Sequence, residues 1–175
     1  MSDDLAQRAA KIFRTRLQSL SDWMGKAEAR LSATEGGITG LMAARMAPDM
    51  YPFPYQIVFA CNQAHEFIAW CRGESYSQPD PTALHWLALK DHVAQTMTAL
   101  DEAVAAGVAA LPDKHIDLMG QAHLDLSGRR YVDDWLLPNF YFHLVIAYAL
   151  MRNHGVDVGK VDYMAHLAGD VRPNG

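Results

Sequence analysis

Between Val132 and Gly155 the chain reads VDDWLLPNFYFHLVIAYALMRNHG, its most apolar run, with His143 alone in mid-run and His154 at its end. Leu137, Phe140, Leu144, Ala147 and Met151 form one helical stripe. Tyr141, Val145 and Tyr148 form a second, and Ile146 and Leu150 a third. A surface helix carries one such stripe, so apolar residues all round predict a helix buried in a core or shared with a partner chain. Pro138, Asn139 and His143 interrupt the run. A membrane span needs about 20 predominantly apolar residues, so none is expected here. Pro138 suits a first helical position, and Gly155 suits the left-handed position that ends a helix.

Asn139 and His143 lie four apart and therefore share a helix face with Ile146 and Leu150. A polar side chain buried there without a partner costs about 1–3 kcal/mol. A hydrogen bond from His143 to a neighbouring helix is the plainest way to meet that demand.

The other strongly patterned stretches are helical too. Leu5, Ala9, Ile12, Phe13, Leu17, Leu20 and Met24 repeat at threes and fours, predicting a first helix from Ser2 or Asp3 to about Ala33, stopped by Gly36-Gly37. Residues 38–48 suit one short helix. Arg45 and Asp49 flank the proline-rich turn after it, as a local ion pair or helix cap. A second long helix begins near Pro52 or Pro54 and runs to Arg72. Ile57, Cys61, Ala64, Ile68 and Cys71 make its inner seam, flanked by Gln56, Asn62 and His65. A third helix is expected from about Thr82 to Leu111-Pro112, with Trp86, Leu89, Val93, Met97, Leu100, Val104 and Val108 inside and His85 and His92 mostly exposed.

Residues 113–131 alternate instead, predicting a short β-hairpin or extended excursion between helices three and four, with SGRR as a turn. His115/Asp117 and His123/Asp125 fall on alternate positions, a wet hairpin face more simply than a metal site. The last twenty residues pack as a short segment and fray after Gly169.

At 175 residues, half of them hydrophobic, the chain suits one domain, 1–175. A net charge of −5 disfavours a nucleic-acid groove. Cys61 and Cys71, ten residues apart in one helix, stand about 15 Å from each other, too far for a disulfide. Free thiols and an acidic, amphipathic N-terminus predict a cytoplasmic protein. No P-loop, dinucleotide-binding glycine pattern, nucleophile elbow or paired CxxC occurs. His65-Glu66 opens HEFIAW, with no second histidine a turn later.

PDMYPFPYQ and LPNFYFHLVIAYALMRNHGVDVGKVDY together resemble a bacterial domain-of-unknown-function family within the DinB/YfiT-like superfamily. The resemblance spans nearly the whole chain. It implies an all-α, up–down four-helix bundle, commonly a homodimer. Many members of that superfamily hold a divalent metal on three histidines, one from the second helix and an H-x-x-x-H pair on the fourth. Histidines four apart share one helix face, and a third from a neighbouring helix leaves a coordination position open for chemistry.

In this chain His143 aligns with the second histidine of the pair, and Asn139 stands at the first. Gln56, Asn62 and His65 are the second-helix candidates. Amides are poor donors to zinc or nickel. The expectation is therefore a dimeric small-molecule-binding or interaction protein with a degenerate metal site. Its ligand-binding residues would be Asn139, His143, Gln56 and Asn62, with no cofactor. The alternative is a metal-dependent transferase or hydrolase, with zinc or nickel on His143 and His65. No nucleic-acid or membrane partner is expected.

Overall fold

In the computed structural model, which describes residues 2–107 and 111–172, four long helices pack around one continuous apolar core. They are α1 (Ser2–Leu31), α3 (Phe53–Arg72), α4 (Trp86–Ala105) and α6 (Leu137–Asn153), with the short α2 (Gly37–Ala43) between the first two. α3 lies between α4 and α6, and α1 closes the far side against the same two helices, so the order around the bundle is α1, α4, α3, α6. α1 and α3, consecutive among the long helices, thus face each other across the diagonal. Their shared core is aromatic: Phe13 packs against Phe67 at 5.6 Å and edge-on against Phe140 at 5.0 Å. No described helix is long and apolar enough to cross a membrane.

The helix boundaries follow local chemistry. α3 starts where Pro52 and Pro54 set φ, and ends at Gly73 with φ 69°. Arg45 spans the turn before α3 by donating to the Met50 carbonyl at 2.6 Å, in place of an ion pair with Asp49. α2 is shorter than the sequence suggests and stops at Ala43. α4 begins at Trp86 rather than Thr82, because Asp80 caps a separate single turn, Pro81–Ala83, and the His85 imidazole caps α4 by accepting from the Ala88 N–H. It ends at Ala105, before Gly107 at φ 80°, so Val104 is exposed; Val108 falls outside the described residues. Both thiols are free, and burial pushes each up to about 12.

Strands β1 (Lys114–Leu118) and β2 (Ala122–Leu126) form the expected antiparallel hairpin. Its turn is Met119–Gln121, not SGRR. Ser127 instead starts a helix, its hydroxyl accepting from the Arg130 N–H to cap α5 (Gly128–Arg130). That helix runs on through a π-helical turn, Tyr131–Leu136, into α6. Pro138 sits just past this turn. It brings no N–H, and its ring would press on a carbonyl one regular turn back, so a widened turn accommodates it. The fourth helix is not enclosed on every side. Phe142 is 56% exposed and Val145 44%. Tyr141 and Tyr148, in the stripe of Val145, are half-buried against the core, so the open face is that of Pro138, Phe142 and Val145. After Gly155 (φ 77°), α7 (Lys160–Tyr163) and a final turn, Ala165–Asp170, lie along α1.

Candidate functional site

A cavity of about 550 Å³ opens between α3, the π-helical turn, α6 and the hairpin. One face of α3 supplies Phe59, Asn62, Gln63 and Glu66, residues that recur at helical spacing. The segment after α3 lays Tyr76, Ser77 and Gln78 along a second side. Lys114 and Ile116 come from β1, Tyr131 and Trp135 from the π-helical turn, and His143 from α6.

His143 is held in one chemical form. Its Nδ1 lies 2.9 Å from Gln56 Oε1, and the Gln56 amide nitrogen donates to the Tyr51 carbonyl at 2.8 Å. A carbonyl only accepts, so the glutamine must turn its NH₂ toward Tyr51 and its oxygen toward the histidine. Nδ1 therefore carries the proton, and Nε2 holds the ring's lone pair, with no hydrogen bond to a described residue. Burial pushes the imidazole down to about 4, so it is neutral at neutral pH. Phe59 and Phe142 pack against the ring at 5.1 and 5.2 Å.

The remaining expected residues divide between cavity and core. Asn62 lines the cavity and donates to Gln78, tying α3 to the segment beside it. Gln56 stands behind His143 and orients it. Asn139 does not line the cavity: its side chain donates to the Trp135 carbonyl at 2.7 Å, one turn back along its own helix. His65 is turned toward α4, where Nε2 lies 3.0 Å from the Thr96 hydroxyl. That hydroxyl gives its own proton to the His92 carbonyl, so the imidazole is the donor. His65 also stacks on Tyr76 at 4.5 Å and faces His92 at 5.8 Å. Burial, and secondarily His92, push His65 down to about 4. His92, expected to be mostly exposed, is half-buried in this stack, and burial lowers its pKa as well.

A transition metal does not fit this arrangement. Asn139 and His65 each spend a polar atom elsewhere, which leaves His143 as the one imidazole of the cavity. Among the described residues, no three histidine, cysteine, aspartate or glutamate side chains gather closely enough to hold an ion. On the hairpin, Asp125 takes His115 at 2.7 Å and His123 at 3.4 Å in exposed pairs. That is the wet face its alternation predicts.

Glu66, Lys114, Tyr131, Trp135 and Gln78 also line the cavity, and no motif in the sequence marks them. Glu66 was within reach, since it lies one helical turn from Asn62. The others arrive from the hairpin, the π-helical turn and a loop, where no periodicity relates them to α3.

Comparison with known proteins agrees with the geometry. The family described as "Domain of unknown function (DUF1993)" matches residues 5–164. None of the curated proteins matches the chain. Among solved structures, the crystal structure of a DinB family member protein from Shewanella denitrificans superimposes with a TM-score of 0.75. It is 25% identical, and the match covers 95% of this chain and 92% of that one. The helical bundle with its hairpin insertion is thus DinB-like, and the chain belongs to the DUF1993 family.

Proposed function

We propose that this protein binds a small molecule in the cavity beside His143, and that it works as a homodimer joined along α6. The observation that carries the reading is the fixed tautomer of His143. Gln56 keeps the Nδ1 proton, so a neutral imidazole offers Nε2 as a hydrogen-bond acceptor in a cavity of about 550 Å³. Cavities of this size, mixing aromatic walls with a few polar groups, suit small-molecule ligands. Phe59, Tyr131 and Trp135 provide apolar surface, and Asn62, Glu66 and Lys114 provide polar contacts.

The dimer reading rests on the uncovered stripe of α6. Pro138, Phe142 and Val145 follow one another at helical spacing on its outer side, and all three are exposed. A contiguous apolar face of this kind is more often covered by a partner than left in water.

Native mass spectrometry of the intact protein, followed by NMR screening with a fragment library, tests the binding reading. The expected result is a retained or added small molecule that shifts the His143 ring signals. A library that leaves those signals in place would rule this reading out.

A further inference from the structure

We infer that the cavity is built for a small zwitterion, with a primary ammonium directed to Glu66 and a carboxylate directed to Lys114. This inference rests on the small-molecule reading of the same cavity and names its ligand class.

Glu66 and Lys114 carry opposite charges, are both half-buried, and line the same cavity from different elements, α3 and β1. Neither forms a hydrogen bond or ion pair with a described residue. The Lys114 ammonium lies over the Tyr131 ring, 5.4 Å from its centroid. A half-buried charge without a partner is an unfavourable arrangement in a folded protein. Two of opposite sign, close enough to share a cavity yet not paired, leave room for a molecule that bridges them. A free amine alone would leave Lys114 unanswered, and a free acid would leave Glu66 so.

The α3 wall adds to the polarity. Asn62 Oδ1 and Gln63 Oε1 are buried in α3's part of the wall without a donor among the described residues, so that side lacks donors rather than acceptors. His143 Nε2 is a further acceptor on the α6 side. An ammonium group has three N–H donors, which the Glu66 carboxylate and His143 Nε2 can accept. Tyr131 and Trp135 line the cavity too, and aromatic faces favour a cation.

The test uses the intact protein and a series of amino acids with growing charge separation: glycine, β-alanine, γ-aminobutyrate and ε-aminocaproate. Butylamine and butyrate serve as the two half-probes. Affinities are read by calorimetry, and contact with the cavity by the His143 ring signals. We expect one member of the series to bind at least about tenfold more tightly than either half-probe. Glu66→Gln should remove that advantage without weakening butyrate binding. Lys114→Met should remove it without weakening butylamine binding. Equal affinities for zwitterions and half-probes, or an advantage that survives both substitutions, would overturn the inference. If neutral fragments move the His143 signals while zwitterions do not, the ligand class is wrong and the cavity reading stands. If no fragment and no zwitterion moves them, both fall.

Discussion

Gln56 has two hydrogen-bonding ends, and each is committed. One holds the Tyr51 carbonyl and the other holds His143 Nδ1. Gln56→Ala would leave a backbone carbonyl and a half-buried imidazole without partners, a loss of about 1–3 kcal/mol. Chemical denaturation measures that loss. The same variant should also show a mixture of His143 tautomers by nitrogen NMR, whereas the parent shows one.

Acid should act through His143 and His65. Both titrate near 4 in the folded protein, below the ordinary value of 6.5, chiefly because burial disfavours the charged ring. The unfolded chain therefore binds more protons than the folded one between pH 6.5 and 4. The contribution of these two rings should be level above pH 6.5, fall as pH drops through that window, and complete its loss near pH 4. The carboxylates of Glu28 and Asp162, whose pKa values are lowered by hydrogen bonds to Lys90 and Lys26, lose their contribution only below their ordinary 4.5 and 3.8. A fall in melting temperature between pH 6.5 and 5 is thus a histidine effect, and a flat profile there contradicts the burial of the two rings.

Among the elements, the junction of hairpin and fourth helix decides where Tyr131 and Trp135 stand. Gly128 passes so near the Leu111 carbonyl that a Cβ would collide with backbone. Gly128→Ala should destabilise the protein by about 1–3 kcal/mol, the usual penalty for overpacking. Thermal unfolding reads this directly, and an unchanged midpoint would show that the junction yields.

This junction also marks the limit of what periodicity reveals. The four helices announce themselves because each must turn an apolar stripe inward at a spacing of three and four. The hairpin shows in its alternation. The π-helical turn leaves no such pattern, and only Pro138 hints at it. Ser127 read as part of a turn because SGRR suits one, yet its hydroxyl serves the following helix. The position of His92 depended on which way α4 rotates in the bundle. Its inner stripe alone does not reveal that His65 and Tyr76 would cover the neighbouring face. His143 stands out as the histidine in the middle of an apolar run, and Gln56 through the proline-rich motif that ends in it. Their pairing is a tertiary fact, made by α3 and α6 meeting along their length.

At the scale of the whole molecule, one apolar core accounts for most of the chain, and the outer face of α6 is one of the apolar surfaces it leaves in water. If that face joins two copies, sedimentation should find a dimer at micromolar concentration. Phe142→Glu should then give a folded monomer, because it places a charge in the middle of the interface. A parent protein that sediments as a monomer removes the dimer and leaves the cavity intact. The ties across the bundle surface, Arg14 to Asp101 and Lys90 to Glu28, are partly exposed ion pairs and contribute little to stability.

The orientation of the whole cavity turns on the state of the His143 ring, and a long-range proton–nitrogen spectrum of the histidines across a pH titration observes that state directly. It should show His143 as a neutral ring protonated on Nδ1, with a midpoint near 4 and an Nε2 signal that moves when a ligand enters the cavity. A His143 ring that carries its proton on Nε2, or titrates at the ordinary 6.5, would contradict this assignment.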